Sequence, residues 1–219
     1  VYNKEKNQEG MMFATLAQNY SMLRLKFFLW RTKLEVWKKI VFSFVGAILI
    51  GMLAQLRIPL PWTPVPIVGS TLGVVIVAIL LGKNWGGIST TIYVILGAMG
   101  IPWFAGFSGG IGVIFGPTGG YLLGFILSAF FAGYIIDKKP HLRKFIPLVL
   151  LMFFCHFVLM YVPGLIQLGL WLTFVKGKPF SLIELLWMGA IPFIPGDALK
   201  SIIAAAVVDA ITPKQNYLN

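Results

Sequence analysis

The chain has 219 residues, 58% of them hydrophobic and 11% charged, against about 25% charged in soluble domains, so lipid is its expected solvent. This length accommodates roughly six spans of about 20 residues and leaves no room for a nucleotide-hydrolysing domain. The net charge of +11 sits mostly on residues that end apolar runs, as cytoplasmic membrane flanks do, which argues against a nucleic-acid partner.

Residues 1–10 carry four charges, show no cleavable signal pattern and read as disordered. Over 11–36, apolar residues recur at Leu16, Tyr20, Leu23, Phe27 and Leu34, which suits one face of a helix. Arg24, Lys26, Arg31 and Lys33 interrupt any clean span. The expectation is an amphipathic helix on the cytoplasmic interface, its basic side chains toward anionic head groups. A helix docked on a partner protein is the alternative.

The first full span is expected at 37–55, with Lys38 and Lys39 at its start and Arg57, Pro59 and Pro61 after its end. Ala47, Gly51 and Ala54 lie within it. Such small residues permit close helix approach, either inside a bundle or on a surface that docks another membrane protein. Pro59, Pro61, Pro64 and Pro66 then stiffen a loop, since each fixes φ and removes a donor. That loop is a lid or a tight external connection.

A second, short span is expected at 68–81 and a third at 89–103, with Tyr93 inside the third. Residues 104–120 hold seven glycines and no charge. They lack the P-loop lysine and the dinucleotide fingerprint. With Trp103, Phe104, Phe107, Phe115 and Tyr121 nearby, the loop suits stacking on an apolar ligand. The plainer reading is a re-entrant or interfacial loop that needs glycine only to pack.

The fourth span is expected at 121–136, followed by the densest basic loop, Asp137–Lys144, which marks the cytoplasmic side. The fifth, 145–172, contains Pro163-Gly164 and predicts a kink near Tyr161. Cys155, the single cysteine, cannot form an intramolecular disulfide. His156 is expected to bond a neighbouring helix rather than to act in catalysis. Residues 181–190 read as a short helix with a capping box, Ser181 and Glu184. The last span is expected at 196–208, returning Asp209 and Lys214 to the cytoplasm.

The result is an all-α fold of six membrane helices with both termini inside. The proline loop, the glycine loop and the 173–195 segment then lie outside. The domain division is a tail and interfacial helix over 1–36, a membrane domain over 37–212 and a cytoplasmic tail over 213–219.

Asp197 and Lys200 fall at the outer end of the last span. A carboxylate in a first helical turn is favoured by exposed N–H groups and the helix dipole, and a lysine one turn on lies beside it. The pair is either an internal brace or the polar wall of an outward cavity. No catalytic constellation, metal-ligand spacing or cofactor motif accompanies it.

Four motifs carry a resemblance: Pro-Trp-Thr-Pro-Val-Pro-Ile-Val at 61–68, Gly-Ile-Pro-Trp-Phe-Ala-Gly at 100–106, Gly-Pro-Thr-Gly-Gly-Tyr-Leu-Leu-Gly-Phe at 116–125 and Pro-Phe-Ile-Pro-Gly-Asp-Ala-Leu-Lys at 192–200. Over about 37–210 the chain resembles the BioY family of biotin transporters, substrate-binding S components of energy-coupling-factor (ECF) importers. The resemblance implies six membrane helices that bind biotin from outside, under lids formed by the first and third loops. It implies, as partners, a transmembrane coupling subunit and two ATPases, and no cofactor. By the same resemblance, Asp197 and Lys200 contact the ligand. Tyr93, Trp103, Phe104, Gly109, Gly110 and Tyr121 supply aromatic and backbone contacts, and Ala47, Gly51 and Ala54 form the docking surface. Ser70, followed by Thr71, stands where many members have glutamine, and Ser108 where some have arginine. These two departures leave room for a related ligand, such as a biotin precursor. A structural membrane protein is the competing class.

Overall fold

The computed structural model describes residues 2–217, with side chains from residue 11 onward. Helices alternate between two ends of one bundle: α1 (Tyr2–Lys33), α2 (Val36–Ala54), α3 (Ser70–Leu81), α4 (Trp85–Ala98), α5 (Ile111–Ile114), α6 (Gly119–Lys138), α7 (Phe145–Phe153), α8 (Tyr161–Phe174), α9 (Leu182–Gly189) and α10 (Ile194–Ile211). Val36–Ala54, Gly119–Lys138, Phe145–Phe174 and Leu182–Ile211 are long and apolar enough to cross a membrane, whereas α3 and α4 are shorter apolar helices. Outward residues such as Phe44, Ile48, Leu123 and Ile166 are as apolar as the core, which fits a lipid surround. Two-residue strands, β1 (Arg57–Ile58) and β2 (Ile67–Val68), pair antiparallel and close the proline loop into a hairpin.

Several boundaries shift for local reasons. α4 starts at Trp85 and ends at Ala98, because Gly100 turns the chain at φ +112° and Pro102 disfavours helix at the residue before it. The Phe145–Phe174 run is unbroken, but Phe154–Met160 is π-helical. Pro163 lacks an N–H, and its ring crowds the carbonyl four residues back. The wider turn just upstream absorbs that misfit, so the expected kink takes the form of a π stretch ending at Met160. α9 carries the expected capping box between Ser181 and Glu184.

α6 is the hub, packed against α3, α4, α8 and the π stretch. At Gly124 a Cβ would run into the Met160 backbone, so this crossing requires glycine. Small residues do similar work on α2. Ala47 and Ala54 are buried, and Gly51 lies against Trp103. They face the bundle, where α2 packs on α4, and form no exposed docking surface. The outward face of α2 carries Phe44, Val45, Ile48 and Met52 instead.

α1 departs furthest from expectation. It begins at Tyr2, so the segment read as disordered is helical, and Val1 lies outside the described residues. Its expected apolar stripe is largely exposed, at Leu16, Tyr20, Leu23 and Phe27. The face that meets the bundle is marked instead by Phe28 and Arg31, both buried. Arg31 Nη2 is 2.7 Å from Asp137 Oδ1. Tyr217 donates its hydroxyl to the same oxygen at 2.6 Å, and the Lys83 N–H donates to Oδ2 at 3.0 Å. Burial and then Asp137 hold the Tyr217 phenol above its ordinary pKa, keeping it a donor.

Arg143, fully buried, donates to the Ile136 and Asp137 carbonyls at the end of α6 and to the Pro213 and Gln215 carbonyls. It thereby satisfies terminal helix carbonyls that have no intrahelical donor. Residues 213–217 are therefore fastened to the bundle rather than trailing from it.

Removing one partner of a buried pair leaves an uncompensated charge, at about 3–5 kcal/mol. Arg31→Met is expected to lower the thermal unfolding midpoint in detergent accordingly. Arg31→Met combined with Asp137→Asn is expected to recover part of the loss. Equal midpoints for wild type and the single variant would show that the pair contributes nothing.

Candidate functional site

At the end away from this clasp, the proline loop, the 104–118 segment and the first turns of α3, α6, α8 and α10 enclose a cavity of about 380 Å³. Its size lies within the ordinary range for small-molecule sites, roughly 300–1,000 Å³.

The polar wall is built on α10. Asp197 lies in the first turn and is 4% exposed. Its Oδ1 is paired with the Lys200 ammonium, and its Oδ2 accepts from the Tyr161 hydroxyl at 2.5 Å. Lys200 also donates to the Val68 carbonyl and to Thr71 Oγ1, both at 2.9 Å. An ammonium has three donors, and a carboxylate about four acceptor positions. Lys200 is therefore fully committed, whereas Asp197 retains about two acceptor positions. The pair is at once a brace between α10 and the start of α3 and a wall of the cavity. Beneath it, buried His156 places Nδ1 2.9 Å from Ser201 Oγ on α10 and 3.0 Å from the Met152 carbonyl. It bonds a neighbouring helix, as expected of a lone polar residue in an apolar run.

The apolar wall comes from the aromatic residues. Tyr93 is buried edge-on to Phe104, with ring centroids 5.3 Å apart. Tyr121 lines the cavity and donates to the Gly189 carbonyl at 2.6 Å. Ser70, Thr71, Tyr93, Phe104, Ser108, Tyr121, Asp197 and Lys200 all line this cavity.

Three expected contacts stand outside its lining. Trp103 sits behind Tyr93, donating to its carbonyl at 2.9 Å. Gly109 packs on the Ile101 carbonyl, and the Gly110 N–H donates to the Gly97 carbonyl at 2.7 Å. These glycines shape the loop from behind.

Two glutamines hold that loop. Gln55 Nε2 donates to the Trp103 and Phe104 carbonyls at 3.1 and 3.2 Å, and its Oε1 accepts from the Phe107 N–H at 2.9 Å. Gln167 donates to the Ile114 and Gly116 carbonyls at 2.5 and 2.8 Å. Between these anchors the chain reverses tightly, with Gly106 at φ +73° and Phe107 at φ +56°, both in the left-handed region that such reversals require. Ser108 Oγ donates to the Ala105 carbonyl at 3.0 Å, so its hydroxyl is engaged within the turn.

The sequence reading missed Arg57, Tyr161 and the two glutamines. Arg57 is exposed at the cavity lip, its guanidinium packed against Gly106. In sequence it reads only as a basic residue closing a span. Tyr161 is polar-tipped inside an apolar run, and Gln55 and Gln167 are amides near the ends of such runs. Each was visible as a polar group needing a partner, with nothing local to name one.

A family model described as the BioY family matches residues 23–216. The "Probable biotin transporter BioY" of Methanothermobacter thermautotrophicus is 53% identical over 139 residues, covering 64% of this chain and 88% of the relative. The "Biotin transporter BioY" of Thermotoga maritima is 35% identical over 164 residues, covering 75% and 88%. Among solved structures, the S-component for biotin from an ECF-type ABC transporter matches with a TM-score of 0.67 and 28% identity, over 78% of this chain and 89% of that one.

Removing the Tyr161 hydroxyl leaves Asp197 with Lys200 alone. Hydrogen bonds to charged groups contribute about 1.5–3 kcal/mol. Tyr161→Phe is therefore expected to lower the unfolding midpoint of the ligand-free protein by a few degrees, read by thermal scanning in detergent. An unchanged midpoint would mean that the hydroxyl does not help to hold the carboxylate.

Proposed function

The chain belongs to the BioY family, and from that premise we propose that it binds biotin in this cavity as the S component of an ECF-type importer. The observation that carries the reading is the buried Asp197 carboxylate, held by Lys200 and Tyr161 with acceptor positions left facing the cavity.

Biotin's ureido ring offers two N–H donors and a carbonyl, and its valerate tail ends in a carboxylate. Asp197 accepts from one of the two ring N–H groups, which diverge on either side of the ring carbonyl. The ring carbonyl faces the Ser70 hydroxyl in the first turn of α3. Lys200 reaches that carbonyl only by giving up one of its three bonds, so it supports affinity chiefly by fixing and neutralising Asp197. The apolar rings pack against Tyr93, Phe104 and Tyr121. The tail runs to the mouth, where Arg57 meets its carboxylate. Arg57 thus offers a guanidinium from the first loop where Ser108 lacks one in the third.

Orientation follows from charge. Lys38, Lys39, Lys83, Lys138, Lys139, Arg143 and Lys144 gather at the end opposite the cavity, against Arg57, Lys176 and Lys178 at the cavity end, an excess of the kind the positive-inside rule assigns to a cytoplasmic face. We place both termini inside, six membrane helices across the cytoplasmic membrane, and the cavity open to the outside. Transport energy then comes from partners, a coupling subunit and ATPases, since this chain supplies only the binding site. The buried small residues of α2 leave that docking surface to other faces.

Isothermal titration of the purified protein with biotin is the test. Asp197→Asn is expected to weaken binding by about 10–100-fold, the equivalent of one buried charge-assisted bond. Arg57→Ala is expected to weaken biotin several-fold while leaving biotin methyl ester unaffected, because the ester has no carboxylate. Leu123→Ala, on the outward face of α6, serves as the neutral control. Absence of saturable biotin binding to the wild type overturns the assignment. Equal loss on acid and ester overturns the role of Arg57.

A further inference from the structure

A second cavity, of about 490 Å³, opens between α1 and α2 at the basic end. It exists because of how α1 is fastened. Tyr20 and Arg24 donate to the Ala210 carbonyl at the end of α10, and Phe28 packs on Tyr217. These contacts draw α1 toward the C-terminal side of the bundle. The side of α1 bearing Phe27 and Trp30 then faces α2, where Trp30 meets Phe42 edge-on with ring centroids 5.8 Å apart, and beside that contact a groove opens whose far wall is Val45 and Leu49.

The groove is polar at one end only. Lys39, Lys83 and Lys138 line it there together with the Arg31–Asp137 pair. That pair cancels its own charge, so three lysines are in excess. None of the three has an ion-pair partner among the described residues. Lys39 Nζ gives one donor to the Thr32 carbonyl at 3.0 Å, and Lys83 Nζ lies 5.4 Å from the centre of the Tyr134 ring. Donors remain on both. From Lys39 the apolar wall continues along α2 to Leu49, about 15 Å at 1.5 Å per residue. Half of a roughly 30 Å hydrocarbon core is the same length.

We propose that this groove is a binding site for one anionic phospholipid of the cytoplasmic leaflet, with its phosphate among Lys39, Lys83 and Lys138 and an acyl chain against Val45 and Leu49. Charge complementarity selects the head group, since basic pockets between membrane helices on this side take anionic lipids. A free phosphate would leave the apolar length of the groove unfilled. Bound there, the lipid adds to the Trp30–Phe42 and Lys39–Thr32 contacts that join α1 to α2. The assignment depends on the orientation proposed above and is independent of the ligand in the other cavity.

Native mass spectrometry of the full chain, titrated with phosphatidylglycerol or phosphatidylcholine of identical acyl chains, tests it. The wild type is expected to retain a first phosphatidylglycerol at least ten-fold more tightly than phosphatidylcholine. Lys39→Gln, Lys83→Gln and Lys138→Gln together are expected to bring the two lipids level. Val45→Trp, which fills the groove with the lysines intact, is expected to weaken that first phosphatidylglycerol as well. Equal retention of both lipids by the wild type overturns the site, and is also the result expected if a coupling-subunit helix is the true occupant. A preference that survives either variant overturns it too, because the lipid is then held elsewhere on the surface.

Discussion

A carboxylate inside an apolar bundle must have its charge answered, and this protein meets that constraint twice with the same pattern of carboxylate, cation and phenol. At one end Asp197 is held by Lys200 and the Tyr161 hydroxyl. At the other, Asp137 is held by Arg31 and the Tyr217 hydroxyl. Without such partners a buried ion costs several kcal/mol. The difference between the two ends lies in what remains. Asp137 also takes the Lys83 N–H, and its neighbours are chain termini and helix ends, so it is consumed as a staple. Asp197 has acceptor positions left and an open volume before it. One carboxylate closes the structure, and the other is available to a ligand.

That availability depends on a roof held in place by amides. Gln55 and Gln167 bond backbone groups of the 101–118 segment from opposite sides, so a loop without regular secondary structure over most of its length still has fixed geometry. The proline hairpin beside that roof is coupled to Asp197, because Lys200 bonds the Val68 carbonyl at its base. Any movement that opens the hairpin disturbs the cation holding Asp197. Cavity shape and cavity charge are therefore set together.

Much of this was legible in the chain. Apolar runs placed the helices to within a few residues, Pro163 announced the distortion before α8, and Ser181 with Glu184 announced α9. The pocket-end pair was also visible, because Asp197 and Lys200 are close in sequence. Distant pairs were not: Arg31 and Asp137 lie 106 positions apart, and nothing local in α1 distinguishes a buried arginine from one facing head groups. The inward turn of Ala47, Gly51 and Ala54 was hidden for a related reason. In a lipid-facing helix both faces are apolar, so periodicity does not report which side is inside. Trp103 misled differently, since an aromatic residue beside a binding loop serves equally well as its backing.

The two short serines show how a cavity can preserve chemistry while redistributing it. At Ser108 the hydroxyl is spent within its own turn, and no side chain of that length could reach far into the cavity. At the mouth, Arg57 lies against Gly106 of the same turn, brought there by the pairing of β1 with β2. On the reading proposed above, Arg57 supplies from the first loop the cation that Ser108 does not supply from the third. On that reading, the hairpin register that pairs Arg57 with Val68 bears on ligand choice together with Asp197 and Lys200. A one-residue slip would turn Arg57 to the opposite face of the hairpin and leave the mouth without a cation, even with Asp197 and Lys200 untouched.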